Sequence, residues 1–273
     1  MERENKMNGL VRPTLRKLIA PLPNQIAVSM SGGIDSSSVI VAALDEGKDV
    51  TVFSFTFEDF ESTDFKAAKK IAGKYSLPFV EVLLPSCPGK IYETIQSIIR
   101  ECRIKKKTAV ECVFPFVFLI DKMRQFNLKC LLTGHAADGH FGVSKKAMMH
   151  FREPLSKFNE FRQEYFSNPN SSQVRTLKGY CLARGINLCT PYFEPDIFAL
   201  FINRPWDELN KPRQKEAVRV EFPDLDDLAI KPHSNLQMGD SRIAERVGAA
   251  ALKHLPGAKN PVAVYNRIYS GHL

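Results

Sequence analysis

A Ser/Gly-rich segment in the first part of the chain carries the residues best suited to chemistry. It reads Ser31-Gly32-Gly33-Ile34-Asp35-Ser36-Ser37 and lies between the apolar run Gln25–Met30 and a helical pattern over Ser36–Glu46. Glycines let backbone N–H groups turn toward one point, hydroxyls add donors, and the N-terminus of the following helix carries a partial positive charge. The segment therefore predicts a binding site for an anion such as a phosphate group.

Asp35 is unusual in an anion site, because a carboxylate that faces phosphate is repelled unless a cation lies between them. A Mg²⁺ ion that bridges Asp35 and pyrophosphate oxygens would remove this conflict. The alternative is an ordinary Ser/Gly turn in which Asp35 is the N-cap of the helix. The segment lacks the lysine of a Walker A loop and the glycine spacing of a dinucleotide fingerprint, so neither of those sites is predicted.

The elements around this segment alternate between strand and helix. Short apolar runs predict buried strands at Gln25–Met30, Val50–Phe57, Phe79–Leu84 and Lys129–Thr133. Helical patterns cover Ser36–Glu46, Asp64–Tyr75, Lys90–Arg103 and Val110–Phe126, the last with a kink or break expected at Pro115. This alternation predicts an α/β fold with a doubly wound parallel sheet, whose ligands bind at the carboxyl ends of the strands.

The second half of the chain differs from the first, because no strand pattern is recognised after about residue 145. Helical patterns continue near 155–166, 171–185, 195–203, 212–222 and 241–254. We expect three parts: an N-terminal leader over residues 1–24, an α/β core over 25–145, and an α-helical lobe over 146–273 that completes the site.

The composition is that of an ordinary globular protein, with 273 residues, 44% hydrophobic residues and a net charge of +8. No apolar run approaches the ~20 residues that cross a bilayer. The polar start Met1–Lys6 has no apolar segment behind it, so neither a membrane protein nor a secreted one is predicted. The six cysteines never form a C-x-x-C pair, and we interpret them as reduced thiols in a cytoplasmic protein. The positive charge is compatible with a polyanionic partner.

The Ser31–Ser37 segment resembles the SGGxDS signature of the PP-loop ATP pyrophosphatases. This family includes GMP synthetase, NAD synthetase, asparagine synthetase and enzymes that modify tRNA. The resemblance implies a fold of the adenine nucleotide alpha hydrolase type, ATP and Mg²⁺ as cofactors, and cleavage of ATP between the α- and β-phosphates. It also implies that AMP is placed on a substrate oxygen, that pyrophosphate leaves, and that a nucleophile then displaces AMP.

Further segments resemble the synthetase domain of asparagine synthetase and its relative, β-lactam synthetase. They are Phe53–Asp59, Leu131–Gly142, Thr190–Asp196, and Lys215–Arg219 followed by Lys231. The resemblance implies that Ser54, Phe55 and Gly134 contact the nucleotide. It also implies that Asp35 and Asp138 share a Mg²⁺ ion, which fits two carboxylates that follow two strands of one sheet.

Two lysines are candidates for a catalytic role on the same ground. Lys231 matches the catalytic lysine of the family, and it would neutralise charge that grows on the α-phosphate. Lys215 opens the K-x-x-x-R segment that ends at Arg219. The alternatives are a solvated surface lysine at 231, a solvated helix face for Lys215 and Arg219, and a plain turn residue at Asp138.

The chain departs from the family pattern at several positions. His135 and Gly139 stand where the family has acids, and Phe79–Glu81 stands where it has a histidine. A histidine with a pKa near ~6.5 could serve as the base for a nitrogen nucleophile in place of the first acid. The chain starts Met1-Glu2, without a cysteine at position 2. We therefore expect nitrogen from ammonia, from an amine on the substrate or from a separate protein, and conversion of aspartate into asparagine does not follow.

These features predict an ATP-dependent, AMP-forming ligase that adenylates a carboxylate or carbonyl oxygen and then forms an amide or amidine with ammonia or an amine. A second hypothesis is a PP-loop enzyme that modifies a nucleobase in tRNA or DNA. Its candidate phosphate contacts are the basic run Arg103–Lys107, Lys145 and Lys146. A third hypothesis is a domain that binds ATP without turning it over. The acceptor and the oligomeric state do not follow from the sequence.

Overall fold

The computed structural model describes residues 9–143, 145–168, 173–228 and 241–271. Lys231 therefore lies outside the described residues, and the side chains of Lys145 and Lys146 are also outside them. Within these ranges the chain forms a five-stranded sheet with helices packed on both of its faces.

The sheet is parallel in every pairing of the described strands, which confirms the predicted α/β fold. Its strands are β1 Gln25–Ser29, β2 Asp49–Phe57, β3 Phe79–Leu84, β4 Cys130–Thr133 and β5 Asn187–Cys189, in the order β3-β2-β1-β4-β5. The register places Ser29 of β1 beside Phe53 of β2 and Thr133 of β4. The strand order reverses between β1 and β4, and the turns that follow these two strands meet at the edge where such sheets bind ligands.

The helices lie before, between and after these strands. They are α1 Val11–Ile19, α2 Ile34–Asp45, α3 Thr63–Lys74, α4 Pro88–Cys102, α5 Lys107–Gln125, α6 Ala137–Phe141, α7 Lys145–His150, α8 Leu155–Ser167, α9 Val174–Leu182, α10 Pro195–Phe201, α11 Trp206–Asn210, α12 Glu216–Arg219, α13 Ile243–His254 and α14 Pro261–Ser270. Short 3₁₀ turns lie at Pro191–Phe193 and Pro223–Leu228. No helix among these described residues has the length and apolar character to cross a bilayer.

Both faces of the sheet are covered, which explains why its strands were recognisable as apolar runs. Ile26 and Val28 of β1 pack into one core with residues of α1, α2 and α3. Ala27 points to the other face, where it packs with residues of α4, α5, α9, α13 and α14. The sheet is therefore doubly wound, as predicted.

The strand β5 corrects the expectation that the chain after residue 145 has no strand. Leu188 of β5 pairs with Leu131 of β4, so the sheet takes its fifth strand from the region predicted to be a helical lobe. β5 has three residues, which is too short for a period of two to stand out in a sequence.

Helix α5 corrects the expected break at Pro115. The helix continues through this proline from Lys107 to Gln125. Phe114 and Phe116 on either side are fully buried. Their burial stabilises the helix by more than Pro115 costs through its missing backbone N–H and its low helix propensity.

The described start of the chain is tied to the segment after α12. The Glu221 carboxylate accepts hydrogen bonds from the backbone N–H groups of Leu10, Val11 and Arg12, at 3.0, 2.8 and 2.7 Å. These donors lie at the N-terminus of α1, where N–H groups have no partner inside the helix and favour negative charge. The contact helps to position α12, whose segment carries Lys215.

Candidate functional site

The turn after β1 is closed by its own serines. Ser36 Oγ and Ser37 Oγ both donate to the carbonyl oxygen of Gly33, at 3.1 and 2.8 Å. Gly33 is the N-cap of α2 and receives no side-chain cap, so the interpretation of Asp35 as the N-cap is wrong. Ser37 is fully buried and its hydroxyl is committed to the turn. In this arrangement the Ser37 hydroxyl is directed to Gly33, and its predicted contact with a ligand stays a prediction.

Gly32 shows why the turn needs glycine. Its φ is +73°, and a Cβ atom at this position would lie 2.5 Å from Ala67 Cβ on α3. Side chains rarely adopt this backbone conformation, and the contact leaves no room for one. The turn is therefore held against α3 by close backbone packing.

The turn after β4 packs directly on the turn after β1. A Cβ atom at Gly134 would lie 2.6 Å from the carbonyl carbon of Asp35 and 2.6 Å from the backbone nitrogen of Ser36. Only a glycine permits this approach. Gly134 therefore fixes how close the two aspartate-bearing turns lie.

A cavity of about 430 Å³ opens between these turns. Most of the predicted site residues line it, namely Ser31, Gly32, Gly33, Asp35, Ser36, Ser54, Phe55, Gly134, His135, Asp138 and Lys215. The sequence did not point to other lining residues, among them Ser62, Phe65, Thr108, Phe116, Tyr165 and Gln173. A sequence motif misses these residues because α3, α5, α8 and the start of α9 bring them in from separate parts of the chain. One sequence signal does mark Ser62 and Phe65, because they form the S-x-x-F pattern of a helix N-cap at the start of α3. There Ser62 Oγ accepts a hydrogen bond from the Phe65 N–H at 3.1 Å.

Lys215 joins the two turns through its side chain. Its Nζ atom lies 2.7 Å from Asp138 Oδ1 and also forms an ion pair with Asp35 Oδ2. The Lys215 side chain is 3% exposed, so the alternative of a solvated helix face is wrong for this residue. Burial by itself lowers the pKa of the ammonium, but Asp138 and Asp35 outweigh that effect and raise the pKa above its usual value. Lys215 therefore stays charged and compensates two carboxylates that would otherwise repel each other.

The backbone holds the base of the Lys215 side chain in place. The residue has a φ of +61° at the N-cap of α12, a conformation that is uncommon outside glycine. Its N–H donates to Asn210 Oδ1 at 3.1 Å, and Asn210 in turn donates to the carbonyl oxygen of Phe141 at 3.0 Å. Arg219 lines the same cavity and donates from Nε to the carbonyl oxygen of Gln214 at 3.0 Å.

His135 is half-buried beside α5. Its Nε2 atom lies 3.9 Å from Cys112 Sγ, and its ring centre lies 5.5 Å from that of Phe116. Burial lowers the His135 pKa to about 4, against the opposing effect of Asp138. The imidazole is therefore neutral near pH 7.

Burial also raises the pKa of Cys112 to about 12, so this thiol is not a reactive nucleophile.

Gly139 makes room for an aromatic ring. A Cβ atom there would lie 2.4 Å from the ring of Tyr165 on α8, and 3.1 Å from the ring of Phe166. In this chain the ring of Tyr165 therefore occupies the space that an acidic side chain at position 139 would need.

Ser54 and Phe55 lie at the β2 side of the cavity. Ser54 Oγ donates to the carbonyl oxygen of Met30 at 2.8 Å, and Ser54 is buried. The Ser54 hydroxyl therefore links the middle of β2 to the end of β1. The Phe55 ring centre lies 6.4 Å from that of Phe116, which gives this side of the cavity an apolar wall.

The donor set at the meeting point of the turns fits Mg²⁺. Asp35 and Asp138 direct carboxylate oxygens to one point, which the Lys215 ammonium occupies. In the part of the chain that the structure describes, no three His, Cys, Asp or Glu side chains form a group that could hold a metal ion. Mg²⁺ commonly binds through one or two carboxylates together with substrate phosphates and water. The pair therefore fits a metal ion that arrives with a nucleotide.

Two comparisons relate this chain to known proteins. The family model described as asparagine synthase matches residues 24–221, which is more than half of the chain. Among solved structures, the chain is similar to the U34-tRNA thiolase NcsA from Methanococcus maripaludis with its [4Fe-4S] cluster, at 16% identity over 96% of this chain and 76% of that chain, with a TM-score of 0.41. A likeness of that size carries no conclusion about activity or cofactors.

The family match includes both turns, both aspartates and Lys215. The chain therefore carries an ATP-utilising PP-loop domain. It belongs to the asparagine synthase family.

Proposed function

We propose that this protein is an ATP-dependent, AMP-forming ligase. It adenylates a carboxylate or carbonyl oxygen, releases pyrophosphate, and lets ammonia or an amine displace AMP to form an amide or amidine. The observation that carries this proposal is the convergence of the Ser31–Ser37 turn, Asp35 and Asp138 on one cavity. A binding site for phosphates and a pair of carboxylates for a metal ion then lie on the same edge of the sheet.

Each part of the cavity has a task in this proposal. The backbone N–H groups of the Ser31–Ser36 turn and the N-terminus of α2 bind the phosphates that leave as pyrophosphate. The β2 side, with Ser54 and Phe55, and Gly134 on the other turn hold the adenosine. Asp35 and Asp138 hold Mg²⁺, which neutralises phosphate charge when it is bound.

Adenylation needs positive charge at the α-phosphate, because charge grows there as the bond to the β-phosphate breaks. We assign this task to Lys231, and a fixed cation in a closed site stabilises such charge far better than water does. Lys215 already lies at the two aspartates, and we assign it to the pyrophosphate side of the same bond.

The second step needs a nitrogen nucleophile that is not protonated. The low pKa of His135, about 4, makes this imidazole a weak proton acceptor, and it keeps a lone pair available at neutral pH. We therefore assign His135 to accept a hydrogen bond from the nucleophile and orient it, rather than to act as a strong base. Ammonia or an amine reaches this point from solution, from the substrate itself or from a separate protein.

A second candidate function is modification of a nucleobase in tRNA or DNA. The specific observation in its favour is the α5 side of the cavity, where Thr108, Cys112 and Phe116 are uncharged and His135 is neutral near pH 7. Such a wall suits a flat, uncharged ring better than a free amino acid. Lys105 and Lys106 are exposed just before Thr108. If this candidate is right, a gel shift with tRNA or duplex DNA will show binding that weakens steeply with salt.

The experiment for the ligase proposal is a pyrophosphate-release screen with ATP and Mg²⁺ over carboxylates, amino acids, nucleosides and nucleic acids. The Asp138→Asn variant serves as the control for contaminating activity. With the responding substrate labelled by ¹⁸O at the reacting oxygen, the label should appear in AMP. If ADP and phosphate are the products, or if the label stays out of AMP, the proposal is wrong. All six cysteines are free in the structure, which supports the further proposal that the enzyme works in the reducing cytoplasm.

A further inference from the structure

The ammonium of Lys215 occupies the point where the two aspartates meet. It contacts Asp138 Oδ1 at 2.7 Å and is also ion-paired with Asp35 Oδ2. The exposed fraction of the side chain is 3% for Lys215 and 18% for Asp35. The Asp138 side chain is 39% exposed, so one cation and two anions meet at the wall of the cavity, with the lysine placing a positive charge between the two carboxylates.

A divalent cation and this ammonium compete for the same oxygens. Both need the inner oxygens of Asp35 and Asp138, and like charges at one point repel each other. Two carboxylates alone make a weak Mg²⁺ site, because the ion dehydrates reluctantly and prefers phosphate oxygens in addition. In the absence of phosphate the lysine therefore has the advantage, since it is covalently tethered and already in contact.

The backbone of Lys215 is held by a contact that does not involve its ammonium. The backbone of Lys215 is fixed through Asn210, and its Nζ lies 5.8 Å from the Phe141 ring centre. The four-carbon stem of lysine is flexible, and the turn after β1 lies within reach, because Asp35 belongs to it. A phosphate bound in that turn would offer the ammonium a new anionic partner.

We propose that Lys215 is an exchangeable internal counter-ion that keeps divalent metal off the two aspartates until a nucleotide is bound. When the nucleotide phosphates enter, the ammonium transfers to a phosphate oxygen and the carboxylates become free for the metal ion. This inference rests on the proposed function, because it needs the cavity to take a metal–nucleotide complex. The order of binding follows from this. The nucleotide binds first or together with the metal ion, and the metal ion does not bind alone.

The test measures Mn²⁺ binding by the EPR signal of the free ion, with the full chain and no acceptor. The variants are Lys215→Met and a matched control, Arg219→Met, which removes the same charge from the same cavity at a side chain that contacts the Gln214 carbonyl oxygen and Asp226. Without nucleotide, we expect Lys215→Met to bind Mn²⁺ at least about tenfold more tightly than wild type, because it removes the ammonium that competes with the metal ion for the oxygens of Asp35 and Asp138. We expect Arg219→Met to bind as weakly as wild type, and Lys215→Arg to restore weak binding.

A second arm adds α,β-methylene-ATP, which cannot be cleaved between its α- and β-phosphates. Wild type should then bind Mn²⁺ tightly. If wild type binds Mn²⁺ equally well with and without the nucleotide analogue, or if Lys215→Met gains nothing over wild type, the inference is overturned. If wild type does not bind the analogue at all, the proposed function fails, while the comparison without nucleotide still decides the role of Lys215.

The outcome does not depend on one variant being folded. Lys215→Gln serves as a second variant, and thermal unfolding of each protein is followed with and without Mn²⁺. A ligand that binds only the folded state raises its melting temperature. The inference predicts that Mn²⁺ alone raises the melting temperature of the Lys215 variants and leaves that of wild type unchanged. The reverse pattern contradicts it.

Discussion

The turn after β1 and the turn after β4 lie side by side, yet they are built differently. The first consists of glycines and serines whose hydroxyls bond back to Gly33, so it presents mainly backbone to a ligand. The second presents side chains, His135 and Asp138, on a turn that Gly134 presses against the first. Backbone groups bind phosphate whatever the acceptor is, whereas side chains can be exchanged to suit a new substrate. This difference fits our sequence interpretation, in which the first turn follows the PP-loop signature and the second departs from it at His135 and Gly139.

The largest effect on turnover is expected for the two aspartates, Asp35 and Asp138, which we assign to the same metal ion. Asp35→Asn and Asp138→Asn should each lower kcat by on the order of 10²- to 10³-fold, because each removes a charge that holds Mg²⁺ on the nucleotide. The measurement is pyrophosphate release under saturating ATP. Asp121→Asn, at an exposed position on α5, is the matched control and should retain wild-type turnover. Wild-type rates in either aspartate variant would refute the assignment of the metal ligands.

A change in the contact between the two turns should have the next largest effect on turnover. Gly134→Ala places a methyl group 2.6 Å from the Asp35 backbone, so the turns must separate, and a displacement of the reacting groups by about 1 Å can cost on the order of 10²-fold in rate. The control is Gly179→Ala on α9, where a Cβ atom meets nothing within 4 Å and alanine favours the helix. Turnover and thermal unfolding are measured for both variants. Equal turnover in the two would show that the spacing of the turns is unimportant.

The parts of this site that could be predicted from the sequence are those whose residues lie next to the strands that position them. Ser31–Ser37 and Gly134–Asp138 each follow a strand directly, so the strand pattern predicted both their position at the sheet edge and their proximity. The pairing of Lys215 with Asp35 spans 180 positions, and no local pattern encodes it. The same holds for Thr108 and Tyr165, which helices bring to the cavity from afar.

The side chains of the second turn should affect the chemistry more than nucleotide binding. His135→Leu removes the lone pair that orients the nucleophile, so kcat should fall by about tenfold, the equivalent of one hydrogen bond. The dissociation constant of α,β-methylene-ATP should not change. Cys112→Ala, which removes the thiol 3.9 Å from His135, is the control and should change kcat by less than about threefold. A loss of nucleotide affinity in His135→Leu would place this residue with the phosphate-binding turn instead.

The smallest effect concerns the free energy of unfolding below neutral pH, and it comes from His140 on α6. His140 is fully buried and donates from Nε2 to the carbonyl oxygen of Tyr192 at 2.7 Å. Burial lowers its pKa to about 3. The unfolded chain takes up a proton near pH 6.5 and the folded chain does not, so stability falls as the pH drops from about 6.5 toward 3.

Urea unfolding at pH 7 and pH 5 measures this loss, which should be about 2 kcal/mol from His140. The His140→Gln variant removes the titrating group, so its stability should change less between the two pH values than that of wild type. An equal change in both proteins would show that His140 does not resist protonation in the folded state.

The central claim is that a metal-bound triphosphate lies in the turn after β1, with Asp35 and Asp138 at the metal. The most direct measurement is a crystal structure with α,β-methylene-ATP and Mg²⁺. We predict the β- and γ-phosphates at the backbone N–H groups of the Ser31–Ser36 turn, one metal ion shared by both carboxylates, and the Lys215 ammonium moved onto a phosphate oxygen. A nucleotide bound elsewhere, or a metal ion that contacts neither aspartate, would contradict the account.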